Sequence, residues 1–336
     1  DRTMVLYRGD QIEAGATTEV FAAPKRPYTR ALLSAVPQLG STGEGGPRPF
    51  PVIDMETGQA LPVPLRSDTV DRSGVPLLEV EKLSGRFEIR SPYTHRVQAR
   101  VHAVENISFS LDRGETLAIV GESGCGKSTT GRLLAGLNNP QSGSIRINGN
   151  DVKSFRRSDL SRQVQMIFQD PFASLNPRLT VENAIAEPLL IHGLETVRNA
   201  RQRARALLGD VGLSADVANR YPHEFSGGQR QRICIARALA LEPGLIIADE
   251  AVSALDVSIK AQVVNLMLDL QERLKLGYLF ISHDMAVVER ISHRVAVMYL
   301  GEIVETGPRK AVFSNPQHPY TQRLLSAVPL PDPSRR

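Results

Sequence analysis

The spacing of apolar and polar positions changes period several times along the chain, and each change marks an element. Residues 77–83 alternate weakly, as a half-buried strand does. Residues 107–111 and Thr116–Val120 are short apolar runs with β-branched side chains, again strand-like. The runs at 245–248 and Gly277–Ile281 read the same way. Helical spacing is predicted at 130–137, at 180–193 and at 230–240, where Ile233, Ile235 and Leu239 give an Arg-rich segment an apolar stripe. A last stripe, Tyr320, Leu324 and Leu325, predicts a packing helix. Strands that alternate with helices point to the α/β class.

Superposed on this pattern is a repeat. Shifted by 292 positions, residues 1–37 align without a gap on 293–329, and 18 of the 37 positions are identical. Tyr7, Gly9, Glu13 and Gly15 match Tyr299, Gly301, Glu305 and Gly307, and PYTRALLSAVP matches PYTQRLLSAVP. The second copy follows a set of candidate site motifs and the first follows none. The expectation is that residues 1–37 are the tail remnant of a preceding domain and that the chain is the back part of a longer polypeptide. A short duplicated element that never belonged to a domain is the alternative. Between the copies, residues 38–76 hold a glycine-rich run at 40–47 and Pro47, Pro49, Pro51, Pro62, Pro64 and Pro76. That density predicts an interdomain connector with little core, semi-rigid where proline is frequent. The main domain is expected at 77–308 and a C-terminal tail at 309–336.

Composition narrows the class. The chain has 336 residues, 41% of them apolar, and 40 Lys plus Arg against 36 Asp plus Glu, a net charge of +4. That excludes full disorder and a collagen-like fibre. Two cysteines, Cys125 and Cys234, are too few for a disulfide framework or a four-cysteine metal site. The small positive balance suits a nucleic acid or an anionic membrane face equally and decides nothing.

The chemistry begins directly after Val120. Gly121, Glu122, Ser123, Gly124, Cys125, Gly126, Lys127, Ser128 and Thr129 follow the pattern G-x-x-x-x-G-K-[ST], with a strand before it and a helix after it. Glycines let backbone N–H groups wrap phosphate oxygens, and the helix N-terminus adds positive potential. Lys127 would neutralise the β- and γ-phosphates of a nucleotide and the Ser128 hydroxyl would ligate Mg²⁺. The run 245–250 ends in Asp249 and Glu250. Apolar sequence ending in two carboxylates fits a site at the C-terminal end of a strand. Asp249 would hold Mg²⁺ through water and Glu250 would act as general base on the attacking water. Alone, such a pair fits a surface turn as well. Ser226, Gly227, Gly228 and Gln229 open the helix at 230–240, either as a second anion-binding terminus or as a glycine-rich cap.

In order and spacing, the 121–129 loop, Gln169, FSGGQ at 225–229, Asp249-Glu250, SALD at 253–256 and His283 resemble the ATP-binding cassette ATPases over residues 77–330. The resemblance implies a P-loop NTPase fold: a mixed core sheet, an antiparallel β subdomain and an α-helical subdomain. It implies that two cassettes sandwich ATP, with Ser226, Gly227, Gly228 and Gln229 acting in trans on nucleotide held by the partner. Gln169 would sense the metal and touch the transporter-coupling surface, His283 would contact the γ-phosphate, Asp256 would lie in the dimer interface and Phe87 would stack on adenine. Ala251 stands where the family commonly has Pro.

Two narrower stretches, 168–178 and Asn315-Pro-Gln-His-Pro-Tyr-Thr321, resemble the ATP-binding subunits of bacterial oligopeptide and dipeptide importers, most of all fused double cassettes for glutathione or peptide uptake, and 101–105 and 246–256 fit the same group. The implied partners are a second cassette (the other half of the same polypeptide or a homodimer mate), two transmembrane permeases and, indirectly, a periplasmic or lipid-anchored solute-binding protein, with no nucleic acid. The implied location is peripheral, on the cytoplasmic face of the inner membrane. Cassettes of DNA repair carry coiled coils or zinc-binding cysteines between loop and signature. Here 98 positions separate Ser128 from Ser226, with neither heptads nor a cysteine cluster. Ribosome-acting pairs usually have a long charged linker, unlike 38–76. The signature and His283 exclude a P-loop kinase.

Overall fold

The computed structural model describes residues 1–328 apart from 8, 37–38, 41–44, 53–60, 62–65, 67 and 92–95. Pro62, Pro64 and the end of the expected tail, 329–336, lie outside the described residues.

Six strands form the central sheet, in the order Glu302–Pro308, Arg294–Tyr299, Thr116–Val120, Gly277–Ile281, Leu245–Asp249, Val164–Ile167. All neighbours are parallel except the edge pair, in which Glu302–Pro308 runs antiparallel to Arg294–Tyr299. The continuous apolar runs are those of strands covered on both sides. Side chains alternate across the sheet. Ala118, Val120, Ile246, Ala248, Phe280 and Val297 enter a core with the helix Val257–Leu274. Leu117, Ile119, Leu245, Ile247, Leu279 and Ile281 face an antiparallel sheet on the other side. That second sheet orders Val97–Leu111, Leu78–Arg90, Ser142–Ile147 and Asn150–Asp151. Helices Val181–Ile191, Val197–Asp210 and Gly227–Leu239 pack on one another as a helical subdomain. This is the architecture that the resemblance implies.

Three boundaries move. The strand expected at 77–83 continues to Arg90 because Val97–Leu111 pairs with its whole length. The helix expected at 130–137 runs from Lys127 to Leu134, starting as soon as the loop closes. The helix expected at 230–240 starts at Gly227, because Ser226 caps it. The Ser226 hydroxyl accepts from the Gln229 N–H, and the Gln229 side chain accepts from the Ser226 N–H at 3.0 Å.

The two copies of the repeat fold alike. The first is a hairpin, Arg2–Tyr7 with Asp10–Ala16, then helices Thr17–Ala22 and Pro27–Ala35. At the same offset the second has Arg294–Tyr299, Glu302–Pro308, Arg309–Ser314 and Pro319–Ser326. Both hairpins shift register at the same place, after Val5 and after Val297. In both, one carboxylate receives two backbone N–H groups before the last helix. Glu13 takes those of Lys25 and Arg26 at 2.8 and 3.2 Å. Glu305 takes those of Gln317 and His318 at 2.9 and 3.0 Å. The copies differ in what lies beside them: Arg294–Tyr299 pairs with Thr116–Val120, whereas Arg2–Tyr7 pairs only with its own hairpin partner among the described residues.

The connector departs from the expectation of little core. Phe50 is buried in the main core, with its ring under the Arg290 guanidinium at 5.1 Å. The Asn265 side chain accepts from the Phe50 N–H at 2.7 Å and donates to the Phe50 carbonyl at 3.0 Å. The Arg48 N–H donates to the Arg290 carbonyl, and the Arg290 side chain donates to the Pro49 carbonyl. Pro49 and Pro51 hold the segment extended beforehand, which lowers the entropy lost on docking. Further on, Arg66 pairs with Asp269 and Glu272, and Thr69 donates to the Gly114 carbonyl at 2.6 Å. These contacts fasten the segment around Phe50, Arg66 and Thr69 along the main core like a strap. Phe50→Ala is expected to lower unfolding free energy by about 3 kcal/mol in denaturant melts. A loss under about 1 kcal/mol would mean that the strap adds nothing to the cassette.

Candidate active site

The carboxyl ends of neighbouring parallel strands converge, as ligand sites of α/β sheets do. Thr116–Val120 feeds the 121–129 loop, Leu245–Asp249 delivers Asp249 and Glu250, and Gly277–Ile281 leads into His283. A cleft of about 340 Å³ is lined by Ser123 to Thr129, Gln169, Glu250, Val101, His102, Ala103, Leu300 and Gly301.

Lys127 is 4% exposed, and its ammonium donates to the Gly121 and Glu122 carbonyls at 2.8 and 2.7 Å. Its third neighbour is the Cys125 sulfur at 3.8 Å. These partners are neutral, so the buried positive charge is available to an anion entering the cleft. Burial pushes the Cys125 thiol up, against the pull of Lys127, which makes it a neutral wall of the loop. The Ser128 hydroxyl donates to an Asp249 carboxylate oxygen at 2.8 Å. Burial holds the Asp249 carboxyl above the usual carboxylate range, although Ser128 pulls it down. A buried carboxylate with one hydroxyl partner is undercompensated, and the pair offers hard oxygen donors of the kind that suit Mg²⁺. Among the described residues no three His, Cys, Asp or Glu side chains gather as a metal cluster.

Glu250 adopts a left-handed backbone, φ +49, that side-chain-bearing residues seldom take. Its N–H donates to the Ile281 carbonyl, and its own carbonyl accepts from the Ser253 N–H and hydroxyl. These bonds hold the turn that aims the carboxylate into the cleft. His283 Nδ1 lies 3.3 Å from Glu250 Oε1, so acid and imidazole form one unit.

The other expected residues stand apart from this cleft. Ser226 and Gly227 cap the helix Gly227–Leu239 on an exposed surface of the helical subdomain. Gly228 is buried, and a Cβ there would meet Ile259 Cγ2 at 2.2 Å, so a larger residue would displace Ile259. Asp256 is exposed at the start of the helix Val257–Leu274. Phe87 is 40% exposed and pairs in register with Val101, a lining residue, without lining the cleft itself. The loop after Gln169 is tied to the signature helix. The Arg230 guanidinium sits 3.6 Å above the Phe172 ring, and Arg237 donates to the Ser174 carbonyl at 2.9 Å.

Sequence reasoning missed Val101, His102, Ala103, Leu300 and Gly301. Residues 101–103 were noticed only as part of the importer-like run 101–105, and Gly301 only as the repeat of Gly9.

Residues 104–253 match the family model for the ABC transporter, and residues 12–52 and 304–336 match the model for the oligopeptide/dipeptide transporter C-terminal region. The chain is 57% identical over 341 residues to the glutathione import ATP-binding protein GsiA of Pectobacterium atrosepticum, covering 100% of this chain and 54% of that protein. It is 58% identical over 340 residues to GsiA of Escherichia coli K12, with the same coverage. The chain thus spans about half the length of the curated relatives it matches. Among solved structures, cbiO1 of Clostridium perfringens, part of the ABC transporter complex cbiONQ, aligns with a TM-score of 0.61 at 27% identity, over 71% of this chain and 91% of that one. The dimeric ATP-binding cassette MJ0796 in a post-hydrolysis state with ADP and Pi aligns with a TM-score of 0.61 at 26% identity, over 69% and 98%. With its loop, acid pair and imidazole gathered at the sheet's carboxyl edge, the chain belongs to the ATP-binding cassette ATPases and carries the oligopeptide/dipeptide transporter region at both ends.

Proposed function

We propose that this cassette binds and hydrolyses ATP to power import of short peptides, glutathione among them, through a membrane transporter. The observation that carries the reading is the oligopeptide/dipeptide region matched twice, on either side of one cassette. Fused double-cassette relatives would have such a region after each ATPase. Residues 1–37 would then close a first cassette, 38–76 would be the strap to the second, 77–308 the second cassette and 309–336 its tail.

The chemistry follows from the residues. The γ-phosphate draws Lys127 from its carbonyl partners, and the loop N–H groups receive the β-phosphate. Ser128, Asp249 and Gln169 would hold Mg²⁺, which supplies charge neutralisation on the phosphate oxygens. Glu250 accepts a proton from the attacking water, and His283, 3.3 Å away, orients that water against the γ-phosphate. Phe87 would stack on the adenine beyond the mouth of the cleft. Ser226, Gly227, Gly228 and Gln229 present an exposed, self-capped helix N-terminus to ATP held by a second cassette, with Asp256 in the shared interface. The second cassette would be the other half of the polypeptide or a homodimer mate.

A cleft of about 300 Å³ between Val164–Phe168 and the helix Val181–Ile191 is lined by Phe168, Pro188 and Ile191 together with Glu187 and Arg237. It would receive a permease segment, and its proximity to Gln169 would link nucleotide state to transport. Among the described residues no helix is long and apolar enough to cross a membrane. The permeases would span it, a solute-binding protein would deliver the peptide outside, and the cassette would sit on the cytoplasmic face without contact to nucleic acid.

The test is uptake of radiolabelled glutathione and dipeptides by the native host with and without the gene for the whole polypeptide. Loss of uptake on deletion, restored by the gene, is the expected result, with the protein fractionating with membranes. Unchanged uptake and fractionation with ribosomes would replace the import reading with one in translation.

A further inference from the structure

The C-terminal copy of the repeat reaches the phosphate loop. Tyr320 is 7% exposed, and its ring lies 4.2 Å from that of Tyr299. Its hydroxyl oxygen accepts a hydrogen bond from the Glu122 N–H at 3.0 Å. The carbonyl of the same peptide unit belongs to Gly121 and accepts from the Lys127 ammonium at 2.8 Å. One peptide plane is therefore held at both ends, by a tail tyrosine and by the lysine that faces the phosphates.

That plane needs holding. Gly121 has φ +151, and a residue without a Cβ lets the adjoining peptide rotate at little cost. Rotation would swing the Gly121 carbonyl away from Lys127 and leave the buried ammonium short of a partner. Tyr320 is itself firmly placed: it is the second residue of its helix, the His318 side chain accepts from its N–H at 3.2 Å, and Glu305 fixes the preceding turn. The first copy separates the parts of this arrangement. Tyr7 and Tyr28 keep the ring pair at 4.6 Å, and Glu13 keeps the carboxylate clamp. Ring pair and clamp therefore belong to the repeat's own fold, and the bond to the phosphate loop is what the C-terminal copy adds.

We propose that Tyr320 is a positioning residue for ATP binding, its hydroxyl fixing the Gly121–Glu122 peptide so that Lys127 is preset for the phosphates. The inference rests on the 121–129 loop being the ATP site. When ATP draws Lys127 away, Tyr320 becomes the remaining hold on that plane, so the transporter-type tail and the nucleotide are linked through a single peptide.

Tyr320→Phe in the full chain keeps the ring and removes the acceptor. Affinity for a fluorescent ATP analogue is expected to fall about three- to tenfold, about the worth of one hydrogen bond, because the peptide is left unheld once ATP draws Lys127 away. KM for ATP should rise by a similar factor with kcat within about twofold, and the melting temperature should fall only slightly, by about 1–3 °C. Tyr299→Phe removes the corresponding hydroxyl from the tilted ring partner and should leave ATP affinity unchanged. Wild-type affinity in Tyr320→Phe would overturn the proposal. So would an equal loss in both variants, which would trace the effect to ring packing. If the unaltered chain fails to bind the analogue, the reading of the loop as the ATP site falls first.

Discussion

Glu250→Gln is expected to bind ATP with close to wild-type affinity and to hydrolyse it at least tenfold more slowly. General-base catalysis contributes about 10²–10⁴-fold where a carboxylate removes the proton of the attacking water, and an amide has no such basicity. The substitution keeps shape and one oxygen, so the turn held by the Ile281 carbonyl and Ser253 is left intact. The contact with His283 Nδ1 survives as an amide–imidazole hydrogen bond. The change therefore falls on kcat rather than on KM. Single-turnover measurements separate chemistry from product release. Turnover equal to wild type would remove Glu250 from the role of base and leave the strained φ at that position without a catalytic reason.

The other large effect is on binding. Lys127→Ala is expected to weaken nucleotide affinity by about 10²-fold or more, the equivalent of about 3 kcal/mol lost from charge-assisted bonds to phosphate oxygens. The free protein also loses two hydrogen bonds, to the Gly121 and Glu122 carbonyls, at a net cost of about 1 kcal/mol each, and sheds the burden of a buried ammonium with them. Binding is therefore expected to fall far more than stability. Titration with a fluorescent ATP analogue, alongside a thermal melt, checks both. Retained affinity in a folded variant would contradict the phosphate-loop assignment.

Much of the site was legible because its chemistry sits at strand ends. Val120 to Gly121 and Ala248 to Asp249 are places where a buried apolar run stops and polar groups begin, and such a break is visible in one dimension. The repeat was legible through identity alone, and its paired elements coincide with the 292-residue offset. Val101, His102 and Ala103 were legible as part of an importer-like run but not as part of the site. They lie on a strand of the other sheet, and only the packing of that sheet against the loop brings them to the cleft. Leu300 and Gly301 form a hairpin turn, which reads as a turn whatever it faces. Phe50 was hidden by its neighbours. Proline and glycine lower the local expectation of core, and nothing local reveals that Asn265, 215 positions away, satisfies its backbone. The signature was legible as a helix cap, whereas action on a partner's nucleotide came from the resemblance alone.

The strap has a practical consequence for anyone trimming the chain. Residue 77 looks like a natural place to cut, since the strand Leu78–Arg90 begins there and everything before it is tail and connector. A chain shortened to that point would keep every residue proposed for the ATP site and lose Phe50. It would present a phenyl-sized apolar slot to water, with the Asn265 amide and the Arg290 guanidinium stripped of their strap partners at its rim. Such a surface invites self-association. Shortened proteins that precipitate would therefore report a missing phenylalanine side chain rather than a cassette unable to fold, and beginning the chain upstream of Pro49 is the remedy.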